Sequence, residues 1–239
     1  MSSKVQSICK LSQNVFSEYL SKSKHSNNCL ETACLTNLKN LFSQLTLSDI
    51  HFDLNSMNAM NSINAPITYT SLFENQFFSL TVFGFRRPTS RIPLHDHPGM
   101  YGFVKCVYGS LSVKSFDLIS TYHEIPSEIY EKVPKSDHHN IVPSIFIGED
   151  IVLGDNHQIA TFAPNERNLH VIRPLTDEAV MVDIIAPPYT SQTCSYFYEF
   201  INDIYDSKLG RNITWLLKTL NSHEYYCETI EYQGPAITV

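Results

Sequence analysis

The sequence contains no long hydrophobic run. No apolar stretch in it reaches the roughly 18 residues that a membrane-spanning helix requires. Residues 1–7 also lack the long apolar core of a secretory signal. We therefore expect a protein with no membrane partner and with a cytoplasmic location.

Clusters of basic residues are absent as well. The 239 residues include 17 Lys and Arg against 24 Asp and Glu, which gives a formal net charge of -7 and a pI of about 5.8. A protein that binds a polyanion normally presents a basic patch to it. The composition therefore predicts that nucleic acid is not a partner.

The cysteines lack the density of a disulfide scaffold. Disulfide frameworks are typical of short secreted chains, whereas the cysteines here are dispersed over a long one. We expect reduced thiols. The six residues are Cys9, Cys29, Cys34, Cys106, Cys194 and Cys227.

No Pro-, Gly- or Ser-rich linker divides the chain into parts of similar size. With 239 residues and 43% apolar content, the chain can bury one sizeable core, and we expect a single domain over residues 1–239. Apolar residues between Val5 and Asp49 recur at helical spacing without Gly or Pro, which predicts two N-terminal helices within residues 1–50. Residues 66–239 then form the strand-rich part.

From Ile67 onward the sequence consists of short β-branched and aromatic runs separated by Pro, Gly, Asn and Asp. This pattern is typical of a β-barrel or sandwich. The segment Ser120–Asn156 has weak periodicity, and we interpret it as a long surface excursion whose His138 and His139 are solvated. The predicted strands are Ile67–Thr70, Phe77–Phe83, Gly102–Val107, Leu111–Phe116, Gln158–Phe162, Leu169–Ile172, Ala179–Ile185, Tyr196–Ile201 and Trp215–Leu220.

His95 and His97 form the most informative pair in the chain. On an extended segment, two residues spaced in this way point to the same side of the pleat and can share a metal ion. His170, inside a later β-branched run, is the natural third ligand. Two exposed histidines can also share a face without a metal. Three neutral imidazoles would leave a divalent ion its full charge, and affinity alone would favour Cu, Ni or Zn.

The spacing of His95, His97 and His170, with a glycine after the pair, resembles the two metal motifs of the cupin family. This resemblance implies a mainly β fold, the double-stranded β-helix or jelly-roll barrel, here with an N-terminal helical segment. The usual cupin motif adds a Glu a few residues after the second His. This chain has Tyr101 and Gly102 there instead.

The stretch His95-Asp96-His97-Pro98-Gly99-Met100, with Lys105 and Gly109, is similar to the thiol dioxygenases of the cysteamine (2-aminoethanethiol) dioxygenase and plant cysteine oxidase family. Further matches run from Asp183 to Tyr189, around Trp215 and from Cys227 to Pro235. Together they cover the chain from about Ile92 to its end. The animal branch of the family is the closer one.

The resemblance implies a mononuclear Fe(2+) held by His95, His97 and His170. It implies a reaction in which both atoms of O2 are added to a thiol sulfur, which gives a sulfinic acid. The substrates implied are cysteamine, an N-terminal cysteine of proteins, or both, since each presents a free amine two carbons from a thiol. The sequence does not choose between them, and we take a monomer as the expected state.

Asp183 and Tyr189 are candidates for residues around the metal. Asp183 interrupts an apolar strand, so that it is either paired with a base such as Arg173 or orients a ligand His or the substrate amine. Tyr189 follows two prolines, and its hydroxyl could donate to bound oxygen or substrate at the cavity mouth. Ordinary packing is the alternative for Tyr189.

Cys194 and Tyr196 lie two residues apart. Their match to the family pattern implies a thioether cross-link between the two side chains, formed at the iron centre. No such role is implied for the other cysteines.

Three other functions remain open from the sequence. A 2-oxoglutarate-type oxygenase needs a His-x-Asp pair, which His51-Phe52-Asp53 supplies, although this pair lies before the strand-rich region. A non-catalytic metal-binding cupin would retain metal without thiol-dependent O2 uptake. A cupin isomerase acting on a sugar with Zn or Mn is disfavoured by the missing carboxylate.

Overall fold

The computed structural model describes residues 3–22, 33–59, 65–119, 124–190, 196–220, 222 and 225–239. Helices occupy the beginning of the chain and strands the rest. The helices are α1 (Lys4–Lys22), α2 (Ala33–Ser43), α3 (Leu54–Ala59) and α4 (Ser127–Tyr130). The strands are β1 (Ile67–Glu74), β2 (Ser79–Phe85), β3 (Ile92–His95), β4 (Tyr101–Tyr108), β5 (Ser110–Leu118), β6 (Ile141–Leu153), β7 (Ala160–Phe162), β8 (Leu169–Pro174), β9 (Ala179–Ala186), β10 (Phe197–Asp206), β11 (Arg211–Thr219) and β12 (Cys227–Thr229).

The strands form two sheets. The first has six strands in the order β12-β1-β2-β9-β4-β7, and β12 is parallel to β1. In the second, the order β10-β11-β6-β5-β8-β3 returns on itself, because β10 also pairs with β3 through Phe197 and His95. The described strands therefore confirm the prediction of a mainly β chain that contains a barrel.

A hydrophobic core fills the space between the two sheets. Val104 and Met181 reach it from the first sheet, and Val113 and Ile172 reach it from the second. Each of these strands alternates in the usual way, so that every second side chain points into this space.

Strand β9 is buried along its whole length. Its odd-numbered residues, such as Met181 and Ile185, face the inter-sheet core, whereas Val182 and Ile184 face the helices on the other side of the sheet. A strand covered on both faces carries apolar residues on both, and β9 is apolar in the sequence except at Asp183.

The helices α1 and α2 cover the outer face of the first sheet and confirm the predicted pair of N-terminal helices. Phe16 of α1 and Phe42 of α2 are fully buried, and their rings lie 6.4 and 6.2 Å from the ring of Phe103 on β4. The apolar residues at helical spacing are thus the ones that pack on the sheet. Among the described helices, none has the length and apolarity needed to cross a membrane.

The prediction of a surface excursion over Ser120–Asn156 was wrong for its second half. Residues 141–153 form β6, which pairs with β5 along one edge and with β11 along the other. The exposed Phe146 and Ile147 blur the alternation by which a half-buried strand is recognised. His138 lies in a short 3-10 helix, where its Nε2 is 2.9 Å from the carbonyl oxygen of Val133.

Two glycines in turns between strands have a positive φ but differ in the space around them. Gly109, between β4 and β5, and Gly210, between β10 and β11, have φ of 71° and 64°. A Cβ on Gly109 would lie 2.4 Å from the carbonyl oxygen of Glu178 and from Oγ1 of Thr176, whereas one on Gly210 would meet nothing within 4 Å.

We predict that Gly109→Ala lowers the free energy of unfolding by about 2–4 kcal/mol, because it combines backbone strain with overpacking. The control Gly210→Ala carries only the backbone strain and should cost about 1 kcal/mol. Urea denaturation of both variants measures the difference. Equal losses would contradict the close packing described at Gly109.

Candidate metal centre

Three histidines converge inside the barrel from β3, from the residues after it, and from β8. His95 ends β3 and lies opposite His170 of β8 in the antiparallel ladder. His97 lies beyond the strand, in a turn where the N–H of Met100 donates to its carbonyl oxygen at 3.0 Å. The expectation that both residues of the pair sit on one extended strand was therefore wrong for His97, although the two imidazoles still converge.

The ligand atoms of His95, His97 and His170 lie within 4.8 Å of one another. The Nε2 atoms of His97 and His170 are 3.1 Å apart, and the three ring centroids are separated by 4.7 Å in each pair. All three residues are buried. Within the described part of the chain, this is the group of side chains that could hold a metal ion.

The outer ring nitrogens are held by hydrogen bonds. Nδ1 of His95 is 2.8 Å from the carbonyl oxygen of Pro93, and Nδ1 of His97 is 2.6 Å from the hydroxyl of Tyr189. His170 bonds to the backbone of Arg167. A histidine protonated at Nδ1 keeps a free lone pair on Nε2. Because the three rings point towards one another, these lone pairs can bind the same metal ion.

Burial keeps the three imidazoles neutral. Desolvation lowers the pKa of His95 and lowers those of His97 and His170 well below the ordinary value. For His97, repulsion from the other two rings lowers the pKa further. The neutral imidazole is the form that binds a metal, so the site is protonated correctly for a ligand set.

The backbone around His97 is fixed by Asn168. The side-chain oxygen of Asn168 accepts a hydrogen bond from the N–H of His97 at 2.9 Å, and its amide donates to the carbonyl oxygen of His97 at 2.8 Å. The ring of Phe162 stacks on His97 at 4.3 Å between centroids. The position of His97 outside a strand is thus set by side-chain contacts.

The structure explains why the usual cupin carboxylate is missing. A Cβ on Gly102 would lie 2.0 Å from the ring of Phe162, so a Glu there would collide with that ring. Tyr101 packs against Tyr19 of α1, with 5.0 Å between ring centroids, on the helix side of the sheet. Neither position can supply a ligand.

The imidazoles open into a cavity of about 160 Å³. Most of its wall is apolar or aromatic, and its polar groups besides the histidines come from Asp183, Tyr189 and Tyr225. Its apolar and aromatic lining residues are Phe83, Ile92, Val104, Phe162, Ile172, Met181, Ile185 and Phe197.

Asp183 is one of the odd-numbered residues of β9, and its carboxyl group reaches the cavity. Thr81, opposite it on β2, donates its hydroxyl hydrogen to the carboxyl group. Burial raises the pKa of Asp183 to about 7, and the bond from Thr81 opposes this shift. Arg173, the base considered from the sequence, contacts Glu149 at 3.4 Å instead.

Tyr189 contacts a ligand residue directly. Its hydroxyl donates to the carbonyl oxygen of Asp96 at 3.0 Å and lies 2.6 Å from Nδ1 of His97. An acceptor position on the same oxygen is therefore available to the Nδ1 hydrogen of His97. The structure thus gives Tyr189 a contact with the ligand set that the sequence did not suggest.

Cys194, one half of the expected cross-link, lies outside the described residues. Tyr196 is described, immediately before β10, where its backbone N–H donates to Oδ1 of Asp96 at 2.8 Å. The ammonium group of Lys218 lies 3.5 Å from the centroid of the Tyr196 ring.

The rival His-x-Asp pair lies away from this cavity. His51 is exposed, and the carboxylate of Asp53 accepts a hydrogen bond from the N–H of Asn55 at 2.9 Å, before α3. Neither residue lines the cavity around the three histidines.

Asp96, Asn168 and Phe162 are the contacts of the site that sequence reasoning missed. Asp96 could have been noticed, because a charged residue between two buried ligands must itself be buried or bonded. Asn168 and Phe162 carry no comparable local signal.

Comparison with known proteins gives a family match and several similar proteins. The family model PCO_ADO matches residues 35–237. The 2-aminoethanethiol dioxygenase of Mus musculus is 30% identical over 187 residues, which cover 72% of this chain and 72% of the relative. The protein of the same name from Homo sapiens is 28% identical over 222 residues, covering 85% and 81%. Plant cysteine oxidase 1 of Arabidopsis thaliana is 30% identical over 138 residues, covering 56% and 42%.

Solved structures with partial similarity to this chain include an oxidase and a cupin domain. Oxalate oxidase in complex with the substrate analogue glycolate is 17% identical, with a TM-score of 0.37 over 62% of this chain and 63% of that one. The cupin domain of Schizosaccharomyces pombe Cnp3 is 10% identical, with a TM-score of 0.35 over 55% and 72%.

The expected fold class is confirmed, since the chain has a barrel of strands preceded by helices. The family model covers most of the chain, and the relatives similar in sequence carry the names 2-aminoethanethiol dioxygenase and plant cysteine oxidase. The chain therefore belongs to the PCO_ADO family, in agreement with the resemblance carried by the stretch from His95 to Gly109.

Proposed function

We propose that this protein is an iron(II)-dependent thiol dioxygenase that acts on the 2-aminoethanethiol unit of cysteamine, of an N-terminal cysteine, or of both. One observation carries the proposal: a cluster of buried imidazoles, without a carboxylate ligand, faces a small cavity that contains one carboxyl group. Membership of the PCO_ADO family supports the same activity.

His95, His97 and His170 fit a divalent metal. Their convergent nitrogens are neutral and their outer nitrogens are fixed, which is the usual arrangement of metal-bound histidines. Three neutral ligands leave the ion its double charge and leave coordination positions open, which favours an anionic thiolate as an additional ligand. Affinity alone would favour other metals, so the assignment of Fe(2+) rests on the family.

When bound, iron(II) supplies a Lewis acid and a redox centre next to the thiol sulfur. Both atoms of O2 are added to that sulfur, and the thiol becomes a sulfinic acid without an external reductant. A free thiol has a pKa of about 8.5 and keeps its proton at neutral pH, so the divalent charge promotes formation of the thiolate. The protein's own residues orient the substrate and exclude water.

Asp183 is positioned to bind the substrate amine. Its carboxyl group faces the cavity and is oriented by the hydroxyl of Thr81. An ammonium group beside it would favour the charged carboxylate and would offset the cost of burial. Amine recognition therefore agrees better with the structure than pairing to Arg173, which contacts Glu149.

The cavity accounts for a substrate unit of this size. A volume of about 160 Å³ with walls formed by Phe162, Phe197 and Tyr225 is large enough for a two-carbon aminothiol. Both proposed substrates contain this unit.

The proposal includes a cytoplasmic, monomeric enzyme with a single domain over residues 1–239. The acidic composition and the lack of basic clusters support a protein without nucleic acid or membrane partners. Cysteamine, N-terminal cysteine and O2 are then its partners in the reaction.

The test is O2 consumption by the iron-loaded protein with cysteamine and, separately, with a short peptide that begins with Cys. We expect a mass gain of two oxygen atoms on the sulfur of at least one thiol. His97→Ala should abolish both iron binding and oxidation, because it removes a ligand. The matched control His51→Ala should retain both.

The outcomes separate the candidate functions. A protein that binds iron but oxidises neither thiol would be a non-catalytic metal-binding cupin. Loss of activity in His51→Ala, together with dependence on 2-oxoglutarate, would instead favour the rival oxygenase. Full oxidation by an iron-free His97→Ala protein would contradict the proposed ligand set.

For Asp183→Asn, we predict unchanged iron content and a kcat/KM for cysteamine that is about 10–100-fold lower, because the amide cannot pair with the ammonium group. Iron analysis and steady-state kinetics measure the two quantities. 2-Mercaptoethanol, which lacks the amine, is the control substrate and should be affected much less. An equal loss for both substrates would argue against amine recognition.

The raised pKa of Asp183 should make the free energy of unfolding of the metal-free protein depend on pH. Below pH 4 the carboxyl group is protonated in both the folded and the unfolded protein and does not change the free energy of unfolding. Between about pH 4 and 7 the unfolded chain loses this proton while the folded protein keeps it, so stability falls by about 1.4 kcal/mol per pH unit. Asp183→Asn cannot ionise, so its free energy of unfolding relative to wild type should rise over this range.

Urea denaturation of both proteins from pH 4 to 8 provides this measurement. Because the two proteins differ only at residue 183, the difference between their free energies of unfolding isolates the effect of this carboxyl group. A difference that stays constant with pH would mean that the folded protein already holds Asp183 ionised.

A further inference from the structure

The second sheet closes where β10 pairs with β3, and this pairing is short. Strand β3 spans only Ile92–His95, and it pairs with β10 through the single residue pair of His95 and Phe197. The neighbouring join between β10 and β11 extends over almost the whole of both strands. Closure beside the metal centre therefore depends on contacts other than a strand ladder.

Asp96 supplies these contacts. Its backbone N–H donates to the carbonyl oxygen of Tyr196 at 3.1 Å, and its Oδ1 accepts from the N–H of Tyr196 at 2.8 Å. Its Oδ2 accepts from the hydroxyl of Tyr198 at 2.7 Å. Asp96 is only 7% exposed, so these bonds form away from water, where an unpaired carboxyl group would be costly.

The same residue also reaches the ligand set. The carbonyl oxygen of Asp96 accepts from the hydroxyl of Tyr189 at 3.0 Å, and that hydroxyl lies 2.6 Å from Nδ1 of His97. Asp96 thus bonds to β10 through its side chain and to the partner of a ligand through its backbone. It also lies between the two ligands His95 and His97 in sequence.

Phe197 connects this arrangement to the cavity. It follows Tyr196 and begins β10, its ring lies 6.2 Å from the ring of His95, and it forms part of the cavity wall. A shift of β10 relative to β3 would therefore change both the contact of Phe197 with His95 and the shape of the cavity.

We propose that Asp96 is a positioning residue, whose carboxyl group holds β10 against the end of β3, which carries His95, and the turn after it, which carries His97, and so fixes the geometry of the metal centre. This inference rests on the proposed metal centre but does not require thiol oxidation. Asp96 acts through Tyr196, Tyr198 and Tyr189 and does not itself bind the metal.

The test measures cobalt(II) binding by the metal-depleted protein, in competition with a chelator, together with the visible spectrum of the bound ion. Asp96→Asn keeps the size of the side chain but replaces one acceptor with an NH2 group that faces a donor. We expect about 10–100-fold weaker cobalt binding and an altered spectrum, as when a contact that orients a metal ligand is lost.

Tyr198→Phe removes one donor and leaves the carboxyl group and the aromatic ring in place. We expect a smaller loss of cobalt affinity, with a spectral change in the same direction. This variant also keeps the inference falsifiable if Asp96→Asn fails to fold.

Ser144→Ala is the matched control. Ser144 is fully buried in the same sheet, and its hydroxyl donates to the carbonyl oxygen of Thr214 at 2.9 Å. Its loss removes one buried hydrogen bond between β6 and β11, away from the cavity. Cobalt affinity and spectrum should match those of the wild type even though the free energy of unfolding falls.

The inference would be overturned if Asp96→Asn bound cobalt with the affinity and spectrum of the wild type. If only Tyr198→Phe folds, the same result in that variant would overturn it. A loss of affinity in Ser144→Ala as large as in Asp96→Asn would also overturn it, because binding would then follow stability alone. A wild-type protein that binds no cobalt would refute the metal centre and this inference together. A protein that binds cobalt but oxidises no thiol in its iron form would refute only the proposed activity.

Discussion

The burial of β9 on both faces is the constraint on which the rest of the structure depends. One face of this strand completes the inter-sheet core, and the other is covered by α1 and α2. The side-chain period of a strand is two, so a slip of one residue would turn Asp183 towards the helices and put Val182 into the cavity. The helical segment therefore fixes the register that gives the cavity its carboxyl group, although it contributes nothing to the cavity wall.

The parts of the site that could be predicted are those with local patterns. His95 and His97, and the β-branched run around His170, are visible in the sequence, and the ladder between β3 and β8 brings them together. Asp96 could not be interpreted in the same way, because its partners Tyr196 and Tyr198 lie 100 and 102 residues away in sequence. Strand β6 was missed for another reason. Its polar residues Glu149 and Asp150 bond to neighbouring strands and loops, so a segment that looks like a solvated loop is part of the sheet.

The fold also determines the charge of the metal centre. Phe162 packs over Gly102 and stacks on His97, so one aromatic ring both excludes a ligand carboxylate and supports a ligand imidazole. The carboxyl groups near this site lie outside the cluster of three histidines. Asp183 lies in the cavity and Asp96 lies behind the ligands. A site of this kind leaves its open coordination positions to an anion brought by the substrate.

The apolar wall of the cavity affects which small molecules can reside there. Side chains such as Ile92, Val104 and Met181 offer no hydrogen bonds, so a water molecule beside this part of the wall lacks partners there. A dissolved gas loses no hydrogen bonds on entering, whereas each water molecule must give up several. The residues that build the core therefore also give the cavity a wall that disfavours water beside the imidazoles.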